Sequence, residues 1–337
     1  MLNPAQQALI HRRGWLKMLA PCSCGGAEMP LPAAVRLEEA IAAADGSCGW
    51  VVTLCAGAGW FAGFLPPELA RRIVATPRMC IAGSGAPSGH ATREGDGWRI
   101  HGHWPHATGA TMATHFTLNA QLRNGGEPVL DARGLPRVRA FVVPAADVQI
   151  VPAWHAIGLR ATASHAFSVQ DRWVPDDHAF DIDAAAATAA GALYRFPFLP
   201  LAFVTLAANL VGIARHFLEM AEALIAARLQ SPGGIRVADP SGVQRHVQRA
   251  AQDVAVARAR FYELLDLAWA QVESGGEVDA VQTRALQAAS LALVNDARAA
   301  VDGLYPYCGL HAADDRSDIN RVWRDFHTAT QHALWLQ

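Results

Sequence analysis

The residues able to do chemistry are few and scattered. His101 and His103 are spaced H-x-H, which sets two imidazoles on one face of a strand, and His106 follows closely. No cysteine or carboxylate stands nearby to complete a metal site, so no metal is expected there. Cys22 and Cys24 are spaced C-x-C without a second pair or a histidine, and read as free thiols. The run GSGAPSG carries Ser84 and Ser88. No helix start follows it, as a phosphate cradle would need, so it reads as a loop in β surroundings. Thr108 puts a hydroxyl beside Gly109, a residue that permits close backbone approach; a turn needs the same pair. Arg160, Thr162 and Ser164 alternate, so along a strand all three share one face. A polar lining and plain solvent exposure explain that face equally well. His332 carries an imidazole, which titrates at about 6.5 and exchanges protons at working pH. Arg324 and Asp325 read as a structural ion pair.

These groups are carried by three kinds of segment. From residue 4 to about 75 the apolar period is helical, and AVRLEEAIAAADGSCGW sets Val35, Leu37, Ile41 and Ala42 near one face with charges opposite. From about 76 to 183 the pattern alternates in short runs: GWRIHGHW, HFTLNAQL, VRAFVVP and AFSVQDRWVP. Asp96-Gly97 and Asn124-Gly125 are favoured hairpin dipeptides, so an antiparallel β-domain is expected. From 184 to 337 helical periodicity returns, over 201–228, 242–273 and 278–304, separated by Ser231-Pro232-Gly233-Gly234 and Ser274-Gly275-Gly276. Long helices on short loops predict a helical bundle. The expected class is α+β, in three domains: 1–75, 76–183 and 184–337.

Composition removes several classes of function. Of 337 residues, 52% are hydrophobic and 17% charged, too apolar for a disordered chain. With 28 basic and 30 acidic side chains the net charge is −2, and Lys17 is the sole lysine. No basic surface for nucleic acid or anionic lipid is expected. The apolar stretch 196–213 is interrupted by Pro197, Pro200 and Asn209, which argues against a membrane span. The N-terminus has no signal-peptide pattern, and a cytoplasmic protein is expected.

The order helices, β-domain, bundle, together with five local strings, resembles the acyl-CoA dehydrogenase superfamily, and within it the flavin-dependent monooxygenase branch. LAPCSCGGAEMPLPAAVRLEEAIAAADGSCGWVV resembles the family's Gly-Gly turn and following "aDGSaaW" helix. GHWPHATGA stands where the dehydrogenases have "W-I-T-N" and the monooxygenases "SSG". WHAIGLRATASHAFSVQDRWVP resembles the "W-x-x-x-G-x-R-x-T-x-S" strand pair, and Arg228 with the residues after it resembles the "R-x-Q-F-G" loop. NRVWRDFHTATQH resembles the monooxygenases' terminal "R-x-W-R-D" segment and its histidine.

The resemblance implies a reduced flavin, FMN or FAD, delivered by diffusion from a separate reductase. It implies hydroxylation of a small, aromatic substrate through a C4a-hydroperoxide. Thr108, Gly109, Ser84, Arg160, Ser164 and Arg228 become the implied flavin contacts, Arg228 by reaching a neighbouring subunit's cofactor, and Thr108 and His332 the implied catalytic pair. Homo-oligomers, dimers or tetramers, are implied as well. Against the dehydrogenases, the position of their glutamate base falls on His332 and Ala333, and no carboxylate follows Asp325. The N-terminal helical segment also reads as shortened. The rival readings are an acyl-CoA dehydrogenase or oxidase with its base elsewhere, and a non-catalytic binding or assembly subunit.

Overall fold

The computed structural model describes residues 1–230 and 239–336. Helices come first: α1 (Pro4–Arg13), α2 (Leu31–Ala44), α3 (Gly46–Trp60) and α4 (Pro67–Ala75). α1 shows why a sequence starts and stops a helix where it does. The Asn3 side chain accepts from the Gln6 N–H while Gln6 reaches back to the Asn3 N–H, Pro4 fills the first turn, and Gly14 closes the end at φ +68°.

Eight strands follow: β1 (Ile81–Glu94), β2 (Gly97–Ala107), β3 (His115–Asn124), β4 (Glu127–Pro128), β5 (Val138–Pro144), β6 (Gln149–Val151), β7 (His165–Pro175) and β8 (Ala179–Phe180). They form one sheet in the order β6-β7-β2-β1-β3-β5-β8, with β4 paired to β3. The alternating strings are strands because one face is buried. Trp98, Ile100, Trp104, Phe116, Leu118, Phe141 and Phe167 form a shared core, in which Trp104 stacks on Phe167 with centroids 5.4 Å apart.

The sheet departs from expectation in three ways. It is mixed, because β1 and β3 run parallel. β2 returns along β1, and the chain then passes over the start of β1, so β3 sets out in the direction β1 took. GSGAPSG is part of β1, and its pairing with β3 slips between Ser84 and Gly89. The hairpin turns also sit one residue off. Glu94 pairs with Gly97 around Gly95-Asp96, and Asn124 with Glu127 around Gly125-Gly126, whose φ values are +55° and +92°. Glycine is the residue that enters that region without steric cost.

The second helical set is α5 (Ala192–Arg195), α6 (Phe198–Gln230), α7 (Pro240–Glu273), α8 (Ala280–Cys308), α9 (Leu310–Ala313) and α10 (Asp318–Ala329). Asp239, Asp279 and Ser317 cap α7, α8 and α10 through their side chains. The expected turn at residues 231–234 lies outside the described residues. Pro200 does not interrupt α6, since it sits in the first turn, where its missing N–H has no partner to lose. By length and composition α6 and the stretch 46–64 can each cross a membrane. Yet 78% and 83% of their most apolar windows are buried inside the protein, as in core helices.

The chain divides into two compact units. The first holds residues 1–34, 51–155 and 161–198; the second holds 35–50, 156–160 and 199–337. In the second, α2 does not carry a charged outer face. Glu38 and Glu39 are fully buried and Leu37 is half-buried. Glu39 accepts from Arg215 at 2.6 Å, from the Arg258 Nε at 2.8 Å and from the Tyr262 hydroxyl, and so ties α2 to α6 and α7.

Candidate active site

The first unit gathers three hydroxyls from two segments. β2 ends at Ala107, and Gly109 turns the chain at φ +75°; a Cβ there would lie 2.9 Å from the Cys55 sulfur. The second segment is a 3-10 turn, Arg160–Thr162, flanked by Leu159 and Ala163 at φ 48° and 47°. Two left-handed residues without glycine reverse the chain twice. Thr162 and Ser164 are therefore buried while Arg160 is exposed. The strand with one shared face expected for Arg160, Thr162 and Ser164 does not form, because β7 begins only at His165.

The Thr108 hydroxyl lies 2.9 Å from that of Ser164, which lies 2.7 Å from that of Thr162. The Gly109 N–H donates to the Thr162 carbonyl at 2.9 Å, and the Cys55 thiol donates to the Thr108 carbonyl at 3.6 Å. The Thr108 hydroxyl both donates and accepts, so its one bond with Ser164 leaves it hydrogen-bonding capacity. Thr108 is 6% exposed, Ser164 3% and Thr162 1%, so all three are buried and Thr108 least so. The Cys55 thiol is pushed up by its hydrogen bond with Cys80 and then by burial. It is packing rather than a nucleophile. All six cysteines are free.

Ser84 is not in this group. It is half-buried at the slip in β1, where its hydroxyl accepts from the Ala86 N–H at 3.4 Å. The Ser88 hydroxyl straps β1 to β2 by donating to the His103 carbonyl at 2.7 Å. His101 stacks on His90 at 5.4 Å and lies 3.2 Å from Asp171, while His106 meets Trp154 edge-on.

The second unit holds the remaining candidates. Residues 156–160 are gripped by α10. Asp325 accepts from the Leu159 N–H, Thr328 accepts from the Gly158 N–H at 2.9 Å, and Arg324 donates to the Ile157 carbonyl at 2.8 Å. A Cβ on Gly158 would lie 2.0 Å from the Arg324 carbonyl oxygen, so glycine is required by space. Arg324 and Asp325 are not the ion pair expected. Arg324 donates to Asn320 and two carbonyls, whereas the charge facing Asp325 is Arg321, at 3.6 Å. Burial raises Asp325 to about 6, against the pull of the Leu159 N–H and Arg321.

His332 lies beyond α10 and caps the 3-10 turn Ala333–Trp335. Its Nδ1 accepts from the Leu334 N–H at 3.3 Å, so the neutral ring carries its proton on Nε2. Trp50 meets the ring edge-on at 6.2 Å. Arg228, in the last turn of α6, donates to the Tyr307 carbonyl at 3.3 Å and so satisfies a backbone oxygen at the end of α8.

Sequence reasoning picked out Thr108, Gly109 and Ser164, which the structure brings together, but not the Thr162 hydroxyl as their third member or the Cys55 sulfur beneath Gly109. The T-x-S spacing was the available signal for Thr162. For Cys55 there was none, because its neighbours are distant in sequence. Ser84 lies apart within the first unit, and Arg228, His332 and Arg160 belong to the second unit.

Residues 204–336 match the family Acyl-CoA dehydrogenase, C-terminal domain. Indole-3-acetate monooxygenase of Pseudomonas putida is 29% identical over 322 residues, spanning 95% of this chain and 80% of that protein. The oxygenase component of the FADH(2)-dependent resorcinol hydroxylase of Rhizobium sp. (strain MTP-10005) is 26% identical over 344 residues, spanning 96% and 82%. The crystal structure of the HsaA monooxygenase from M. tuberculosis superposes with a TM-score of 0.89 at 21% identity, over 99% of this chain and 88% of that one. Residues 204–336 carry the acyl-CoA dehydrogenase C-terminal domain, and over nearly its whole length the chain is similar to oxygenase components of flavin-dependent monooxygenases.

Proposed function

We propose that this chain is the oxygenase component of a two-component monooxygenase that hydroxylates a small aromatic substrate. The observation that carries the reading is the buried hydroxyl group of Thr108, Ser164 and Thr162, in which Thr108 is the least buried member. A hydroxyl both donates and accepts, so it fits the N5–H and O4 edge of a reduced isoalloxazine. Bound reduced flavin supplies the activation of dioxygen.

The chain's own residues orient and protect. Thr108 holds the ring edge, and Ser164 and Thr162 hold the Thr108 rotamer. His332 is the hydrogen-bonding group toward the oxygen or nitrogen of the substrate's ring system. In this reading no side chain is asked to remove a proton from carbon, which agrees with the absence of a carboxylate beyond Asp325. A separate reductase supplies FMN or FAD in reduced form by diffusion, in the cytoplasm. Val256, Leu267 and Val281, exposed on α7 and α8, suit a homo-oligomer.

The test is an anaerobic titration with reduced FMN and reduced FAD, followed by oxygenated buffer and a panel of phenols and indoles. Binding of one flavin, weakened in Thr108→Ala, and hydroxylated product at the expense of hydrogen peroxide are expected. Failure of both reduced flavins to bind would leave the binding-subunit reading in its place.

A further inference from the structure

A pocket of about 400 Å³ opens in the first unit at the end of α1. Its wall carries His11, Arg12, Lys17 and Arg78, with the buried Ile10, Leu16 and Met79 behind them; among the described residues no carboxylate lines it. The sole lysine of the chain is among these cations. His11 and Arg12 lie in the last turn of α1, where positive charge answers the helix dipole. Lys17 and Arg78 lie outside that helix, so the dipole does not account for them. Among the described residues the side-chain partner of Arg78 is the neutral Gln7 amide oxygen, at 3.4 Å.

Arg78 is also held where another residue would be easier. The Met79 N–H donates to the Thr76 carbonyl at 3.0 Å, closing a turn with Pro77 first and Arg78 second in its centre. Arg78 has φ +53°, in the position glycine fills best in a type II turn. The turn keeps a long cationic side chain at a backbone cost, and the pocket is what that side chain borders. Desolvation, then the charges of Arg78 and Lys17, lower the His11 pKa, which reports a positive potential at that wall.

We propose that this pocket binds a small organic anion, its charged end among Lys17, Arg12 and Arg78 and its body filling the rest of the pocket. The volume suits a molecule of one or two rings. Binding relieves the positive potential at His11 and raises its pKa, so affinity increases as pH falls. Nothing in this assignment depends on the oxygenase reading.

The test uses the full chain, with benzoate, its neutral isostere benzamide and inorganic phosphate as probes, and the His11 ring signal followed by NMR. Benzoate is expected to shift the His11 signal and raise its titration midpoint, benzamide to leave both unchanged, and phosphate to bind at least about tenfold more weakly. Arg78→Gly should lose at least about tenfold in benzoate affinity while melting no lower than the parent, because glycine suits the turn. Lys17→Met provides a second loss of affinity away from the turn. Benzamide acting like benzoate, phosphate binding equally well, a His11 signal unmoved by benzoate, or undiminished affinity in both variants would each overturn the assignment.

Discussion

The Ser164 hydroxyl stands 2.9 Å from the Thr108 hydroxyl, and the two side chains come from opposite ends of a long sequence separation. Ser164 is the middle member of its group, so Ser164→Ala leaves Thr108 and Thr162 without their common partner. The expected cost is about 1–3 kcal/mol of stability. Reduced-flavin affinity should fall in Ser164→Ala and Thr108→Ala alike, and in the double variant by little more than in either single one. Fully additive losses would show that Ser164 acts independently of Thr108.

His332 is expected to serve as a hydrogen-bonding group toward the substrate. His332→Gln, which keeps an N–H at the end of a shorter side chain, should retain more product formation than His332→Leu. Both should bind reduced flavin as the parent does, with released hydrogen peroxide rising as product falls. Equal losses of flavin binding and product would move His332 from substrate handling to packing against Trp50.

Glu39 gathers two guanidinium groups and a phenol around one buried carboxylate. Glu39→Gln should cost about 2–4 kcal/mol, since Arg215 and Arg258 lose their shared counter-charge but remain partly wet. Tyr262→Phe should cost about 1.5–3 kcal/mol, the range for a hydrogen bond to a charged group. Urea midpoints of the two variants check both figures.

Glu38 is fully buried, and neither of its carboxylate oxygens has a hydrogen-bond partner among the described residues. Burial raises its pKa well above the ordinary value, and burial raises Asp325 to about 6. A carboxyl raised in the folded state contributes stability that is full below the unfolded pKa and lost as pH rises through the folded one. Between pH 5 and 8 the parent should therefore lose stability relative to the Glu38→Gln, Asp325→Asn double variant, in which the introduced side-chain amide keeps an acceptor for the Leu159 N–H. Comparing variant with parent at each pH removes the opposite contributions of His115 and His327, whose pKa values burial lowers. Melting curves that stay parallel across this range would contradict the buried-acid account.

The parts of the fold legible in sequence were those set by local pattern. The runs at 97–104, 115–122, 138–144 and 166–175 are strands because alternate residues enter one core. β1 was hidden by GSGAPSG, which has no alternation because its pairing slips there. The parallel placement of β3 depends on where the chain crosses, which no local string encodes. Charges on α2 suggested an exposed face, since the partners of Glu39 lie 176 and 219 residues away. At the candidate site the residue types were legible, but the inward turn of Thr162 and Ser164 was not. It rests on left-handed Leu159 and Ala163, and neither residue type announces that conformation.

The chain passes between the two compact units after residues 34, 50, 155, 160 and 198. No single cut separates them, so neither unit can be expected as an expressed fragment. The order of synthesis matters too. Glu39 leaves the ribosome 219 residues before Arg258, a wait of roughly ten to forty seconds at ordinary elongation rates. Through that interval the α2 segment of the second unit has no bundle to enter. A nascent chain stalled before Arg258 should hold residues 35–50 open to protease and to chaperones, and one released past α10 should close over them.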